Sequence, residues 1–200
     1  MSGKPLPERL RDRIEREGPL RFDSFQEAAL YDPEGGYYER PGRVGRTGDF
    51  VTGASWHPAF ARCLVRIASR LASEIAPPID VVDVGAGEGE LLGFFSGAWP
   101  GEVDVRLTGV EASTVRRADA AARVPGARFV AAVDDLPAGL DGLVVAYELF
   151  DALPVRSLRV RDDGSLCERK VGTDAAGRFE WVDASCQDGP EILAGLACRG

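Results

Sequence analysis

The stretch from Ile79 to Leu92, IDVVDVGAGEGELL, restricts the fold more than any other part of the chain. Ile79 to Val84 is rich in β-branched residues and is bounded by Pro77-Pro78 and by Gly85, which predicts a buried parallel strand. Gly85, Gly87 and Gly89 let the chain turn sharply and let a ligand approach the backbone with no Cβ in the way. Glu90 to Phe95 reads as the start of a helix whose unpaired N–H groups face the same spot. Such a strand, loop and helix suit a nucleoside-type ligand, although glycines after a strand also make an ordinary turn. The spacing, Asp83-x-Gly85-x-Gly87-x-Gly89, is not the G-x-G-x-x-G of dinucleotide sites.

The flanking sequence repeats the strand-helix alternation. Val103 to Val110 is a second strand ending at Glu111, Ser113 caps a helix running to about Val124, Ala127 to Val133 is a third strand, and Leu143 to Ala146 a fourth. This predicts an α/β fold with a parallel sheet. Ahead of it, Leu6, Leu10 and Ile14 mark one helix face, and Asp23 or Ser24 can cap a second helix. His57-Pro58 opens a core helix with Phe60, Leu64, Ile67, Leu71 and Ile75 on its apolar stripe. His57 itself reads as a helix-start residue rather than a catalyst. Beyond Val155, Arg156 to Arg161 and Leu166 to Val171 flank Asp162-Asp163-Gly164 and predict a hairpin, with a further strand near Arg178 to Val182. The expected organisation is N-terminal helices and a loop (1–76), a core (77–154) and a β flap (155–200).

Tyr31 to Gly53 is a long glycine- and tyrosine-rich segment with no period. Its aromatic residues argue against disorder, so it is either a surface loop pinned by its own tyrosines or a wall over a ligand.

In open parallel sheets ligands sit beyond the carboxyl ends of the strands, where this chain carries Asp83, Glu111, Asp134 with Asp135, and Glu148 with Asp151. Glu111 follows Gly89 by 22 residues, near the offset at which an acid takes ribose hydroxyls. Glu148 and Asp151 would share a face if a helical turn follows the fourth strand, and could then match a guanidinium; a capped turn ahead of Pro154 is the alternative.

Composition narrows the classes. Lys plus Arg number 24 against 32 Asp plus Glu, and the net charge of −8 argues against a nucleic-acid partner bound through a basic face. The 4 cysteines form no C-x-x-C pair, and a single histidine rules out a multi-histidine metal site, so no metal is expected. There is no apolar run long enough to span a bilayer and no signal-peptide core at the start, so the expected location is cytoplasmic, without membrane contact.

Four segments in this order carry a family resemblance: Leu30-Tyr31-Asp32-Pro33 through Gly36-Tyr37-Tyr38, Gly48-Asp49-Phe50-Val51-Thr52, Asp83-x-Gly85-x-Gly87, and Glu148-Leu149-Phe150-Asp151-Ala152-Leu153-Pro154. From about Ile14 to Pro154 and on into the flap, the chain resembles the MidA family of class I S-adenosylmethionine (SAM)-dependent methyltransferases. That family includes the mitochondrial complex I assembly methyltransferase, which acts on a protein arginine. The resemblance implies a Rossmann-like sheet with SAM as cofactor, bound by Asp83, Gly85, Ala86, Gly87, Glu111 and the segment Gly48, Asp49, Phe50 and Thr52. Asp83 would address the methionine end and Glu111 the ribose; Asp134, by analogy, would meet the adenine. Tyr147 would also line the cofactor, and Glu148 with Asp151 would act on the acceptor, a protein side chain with arginine foremost.

This chain departs from the family in three places. Tyr147 stands where the family usually has Asn, Gly53-Ala54-Ser55 replaces a proline and acid, and family members continue past this length. Strands one to four are expected, and the C-terminal strands are not. Strand four is then an apolar edge to be covered by the flap or by a partner chain. The competing expectation is a noncatalytic SAM-fold binding module or assembly factor. An NAD-dependent oxidoreductase is a third reading, disfavoured by the glycine spacing.

Overall fold

A computed structural model describes residues 3–40, 53 and 57–197. They fall into two compact units, residues 37–152 and residues 1–36 with 153–200.

The first of these holds the parallel sheet. Its strands are β2 (Ile79–Val84), β3 (Val105–Val110), β4 (Arg128–Val130) and β5 (Gly142–Val145), in the order β4-β3-β2-β5, all parallel. Strand β2 is central, and Ile79 to Asp83 are all buried, which explains why the run is continuously apolar apart from its acids. Successive side chains alternate in direction. Val81 and Leu107 pack with Ala61, Leu64 and Ala68 of α3 (Ala59–Leu71) and with Leu91, Leu92 and Phe95 of α4 (Glu90–Ala98). Val82, Val110 and Val130 form a second cluster with Leu136 and Leu140. Helix α5 (Thr114–Arg123) has Ser113 as its N-cap, the side chain accepting from the Arg116 amide, as its sequence predicts.

Some bounds differ from the sequence expectation. Helix α3 stops at Leu71, where Ser73 Oγ donates to the Arg70 carbonyl at 2.7 Å, and its inward stripe is Ala61, Leu64 and Ala68; Ile67 is 44% exposed. Strand β4 ends at Val130 because a 3-10 turn, Val133–Asp135, takes over; there Asp135 accepts from the Ala132 amide.

Close packing pins this sheet at Gly109. A Cβ there would lie 2.4 Å from Phe129 Cε1 and 3.0 Å from Ala86 Cβ, so the Phe129 ring can cross the strand only above a glycine. Gly109→Ala is therefore expected to destabilise the fold by about 1–3 kcal/mol, the usual cost of overpacking, as read by urea unfolding.

The second unit is antiparallel. Strands β6 (Ser157–Val160) and β7 (Leu166–Thr173) make the hairpin expected from the sequence, and β8 (Phe179–Ser185) pairs with β7. A strand not foreseen, β1 (Leu20–Arg21), also joins β7, with Leu20 opposite Val171. Helix α1 (Leu6–Glu17) lays Leu6, Leu10 and Ile14 into a cluster with Leu20 and Val171. Helix α2 (Phe22–Tyr31) follows with no side-chain cap, because it starts at Phe22, ahead of Asp23 and Ser24. The last helix, α6, runs Gly189–Ala197.

Candidate cofactor site

The glycine loop is held from below by β3. Both the Gly85 and Ala86 amides donate to the Val110 carbonyl, at 2.9 and 3.0 Å. All three glycines have positive φ, at 83°, 56° and 79°, and Gly89 is the left-handed N-cap of α4. A Cβ at Gly89 would meet Ala120 at 3.1 Å, so this glycine lets α4 approach α5. Among the described residues, a Cβ at Gly87 would meet nothing within 4 Å.

Glu111 closes the loop from the end of β3. Its Oε2 accepts the Gly87 amide at 2.9 Å and its Oε1 the Ser113 amide at 2.8 Å. A carboxylate has roughly four acceptor sites, so each oxygen keeps capacity for a further donor. Two adjacent hydroxyls are such a pair of donors. The residue is 8% exposed. Burial pushes its carboxyl upward, opposed by the two amides and then by the charges of Arg116 and Arg117.

Two acids of β2 are buried and differ in what surrounds them. Asp80 takes both Nε and Nη2 of Arg106 at 2.8 Å and the Asp141 amide at 3.0 Å, so its charge is paired. Asp83, 5% exposed, receives no donor among the described residues. Burial, and next the charge of Glu111, push its carboxyl up to about 7. A buried carboxylate without donors is costly, and a cationic or donor-bearing ligand relieves that cost.

The segment after β5 lies against the same loop. Leu149 Cδ1 is 3.0 Å from where a Gly85 Cβ would stand, and the Tyr147 ring packs on Phe60 at 4.7 Å. Tyr147 Oη is 2.9 Å from the corresponding point at Gly53. Glu148 adopts a left-handed φ of 49°, rare for a non-glycine residue. Asp151 lies in a turn closed by the Ala152 amide on the Leu149 carbonyl at 3.1 Å, so the helical spacing that would align Glu148 with Asp151 is not realised. Both carboxylates are exposed. Asp134 is exposed on the 3-10 turn beyond β4. Gly48, Asp49, Phe50 and Thr52 lie outside the described residues.

Two groups at this site were assigned no role from the sequence. Tyr38 packs its ring beneath the guanidinium of Arg116 at 4.4 Å, and its carbonyl accepts Ser113 Oγ at 3.3 Å. Arg116 is 8% exposed. The sequence signals for Tyr38 were its place in an aromatic-rich loop and in the Gly36-Tyr37-Tyr38 segment of the family resemblance.

A parallel sheet whose first glycine loop is clasped by an acid from the next strand is the arrangement of a nucleoside-cofactor fold. Residues 59–195 match the model of a family described as "Putative S-adenosyl-L-methionine-dependent methyltransferase". The chain belongs to this family, the MidA group of SAM-dependent methyltransferases. SAM, the cofactor expected from the resemblance, is the one the family uses.

Among curated proteins, the mitochondrial protein arginine methyltransferase NDUFAF7 of Xenopus tropicalis is 27% identical over 184 residues, covering 76% of this chain and 43% of that protein. NDUFAF7 of Mus musculus is 25% identical, covering 91% of this chain and 49% of its own length. The chain thus spans about half the length, or less, of these curated relatives. Two crystal structures from Burkholderia thailandensis are similar in fold. One, at 30% identity, has a TM-score of 0.75 and covers 96% of this chain and 50% of that one. The other, bound to S-adenosyl-homocysteine, is 27% identical with a TM-score of 0.73, covering 94% and 52%.

Proposed function

We propose that this chain binds SAM on the loop Gly85-Ala86-Gly87, between Glu111 and Asp83, and serves in methyl transfer to a protein side chain, with arginine the foremost acceptor. The observation that carries the cofactor assignment is Glu111, which fixes Gly87 and Ser113 while keeping acceptor capacity on both oxygens for a ribose diol. Asp83 supplies the negative site for the cationic methionine end. SAM brings an electrophilic methyl group on sulfonium; the protein's part is to orient it in line with the acceptor and to exclude water. The acceptor class is supported by the naming of NDUFAF7 as a protein arginine methyltransferase. Glu148 and Asp151 are the acceptor-facing candidates, as two separate exposed carboxylates rather than a helical pair.

The test is transfer of labelled methyl from SAM to a protein target, with loss of the label in Gly87→Trp. That substitution puts an indole at the position of the loop where the described residues leave room, and signal should fall to background. Label retained by Gly87→Trp would contradict the placement of the cofactor.

A noncatalytic assembly module is the second reading. It is favoured by the phenol of Tyr147, packed on Phe60 where the family resemblance expects a polar side chain, and by strand β5, which pairs only with β2 among the described residues and leaves Val144 59% exposed. In that reading a partner chain covers the β5 edge. Cofactor binding without any labelled product, together with a partner that protects β5 amides from exchange, would favour it.

A further inference from the structure

Arg116 has no catalytic motif around it, yet it is a nearly buried cation beside the cofactor loop. It is the third residue of α5, and its backbone amide is spent on the cap at Ser113 Oγ, 3.3 Å away. Its guanidinium carbon lies over the Tyr38 ring, 4.4 Å from its centre, rather than in a carboxylate fork, and no hydrogen bond from it is formed among the described residues. Burial of an unforked guanidinium is unfavourable unless nearby negative charge and an aromatic face offset it. Both are here: Glu111 lies at the start of the same turn, and Glu90 at the first position of α4 feels the same charge. Tyr38 in turn ties to Ser113 through its carbonyl, and Ser113 ties to Glu111 through its amide. The chain of contacts Arg116, Tyr38, Ser113, Glu111 and Gly87 therefore ends on the loop.

We propose that Arg116, stacked on Tyr38, is a positioning residue for the cofactor's ribose, offsetting the charge of Glu111 and locking the turn through which Glu111 reaches Gly87. The inference rests on the SAM reading above. The charged and titratable groups facing Glu111 are Asp83 from β2, and Arg116 and Arg117 from α5; Tyr38 is flanked by Arg116, Glu111 and Asp151. Burial disfavours the ionised carboxylate, and the Ser113 and Gly87 amides and then the two arginines favour it. Without Arg116 the carboxyl of Glu111 takes up a proton more readily, so ribose recognition is lost first on the acid side.

The experiment is a calorimetric titration of the whole chain with S-adenosyl-homocysteine at about pH 6 and about pH 8.5, comparing wild type, Arg116→Met, Arg116→Lys, Tyr38→Phe and Tyr38→Leu. Arg116→Met is expected to weaken binding by about tenfold, and by more at the lower pH than at the higher. Arg116→Lys should recover most of the loss, and Tyr38→Phe, which keeps the ring, should bind like wild type while Tyr38→Leu does not. In a Glu111→Gln background, Arg116→Met should cost nothing further. Ligand-free melting curves identify any variant that fails to fold, and Tyr38→Leu then tests the stack independently. Equal losses at both pH values that persist in the Glu111→Gln background would reduce Arg116 to a packing residue and overturn the inference. So would unchanged binding in Arg116→Met. If wild type itself takes up no S-adenosyl-homocysteine, the cofactor reading falls, and this inference with it.

Discussion

Glu111→Ala is expected to lower affinity for SAM and for S-adenosyl-homocysteine by about 100-fold or more, because the carboxylate serves both the ligand and the loop. A hydrogen bond to a charged group contributes about 1.5–3 kcal/mol, and Glu111 offers acceptor capacity for two ribose hydroxyls. The same substitution releases the Gly87 and Ser113 amides, at 2.9 and 2.8 Å in the native loop, so the loop also loses its closure. Glu111→Gln is the informative partner: it keeps one acceptor and the shape but donates where a ribose hydroxyl also donates. Its affinity should fall between the two. Stability in the absence of ligand should fall in Glu111→Gln, since its amide nitrogen replaces one of the two oxygens that accept the Gly87 and Ser113 amides. Calorimetric titration with each ligand, paired with urea unfolding, separates the two effects. Affinity within about twofold of wild type for Glu111→Ala would remove the residue from the site.

The second large effect is at Asp83, and here ligand binding and stability move in opposite directions. Its carboxyl sits at about 7 in the folded protein, pushed up first by burial and then by Glu111, from an ordinary value of 3.8. Between those values the folded state holds a proton that the unfolded state has lost, so stability falls as pH rises through the window and is lowest above about pH 7. Asp83→Asn removes that cost. At about pH 8 the ligand-free variant should be more stable than wild type by roughly 2–4 kcal/mol, and at about pH 4 the difference should nearly vanish. Added SAM should reverse the ranking, because the asparagine cannot charge-match the cationic methionine end; a loss of about tenfold or more in affinity is expected. Urea unfolding at the two pH values, with and without ligand, checks both signs. A destabilised Asp83→Asn at high pH would show that the carboxylate is paired within the fold and would contradict this reading.

The contrast between Asp80 and Asp83 also marks how far the sequence could be read. Both are acids in the same buried strand, and the glycine spacing after Asp83 singled out that one for the cofactor; nothing in sequence showed that Asp80 is answered by Arg106 and by the Asp141 amide. Strand ends at Glu111, the Ser113 cap and the order of the βαβ units were legible because their signals are local and periodic. The contacts of Tyr38 were not, although its motif was, since Ser113 and Arg116 are brought to it by tertiary packing across a long sequence separation. The pairing of Leu20 with Val171 was hidden for the same reason, and a two-residue strand has no period to detect. Helical spacing misled at Ile67, where Ala61, Leu64 and Ala68 form the tighter inward stripe against the sheet. At Glu148 and Asp151 the sequence offered a helix or a turn, and the backbone takes the turn, with φ positive at Glu148.

The central claim, that the glycine loop clasped by Glu111 is a SAM site, is tested most directly by calorimetric titration of the whole chain with S-adenosyl-homocysteine and, in parallel, with NADH. Saturable binding of S-adenosyl-homocysteine near one equivalent, with a dissociation constant of order micromolar and none for NADH, is the expected result. No heat with S-adenosyl-homocysteine, or tighter binding of NADH, would contradict it.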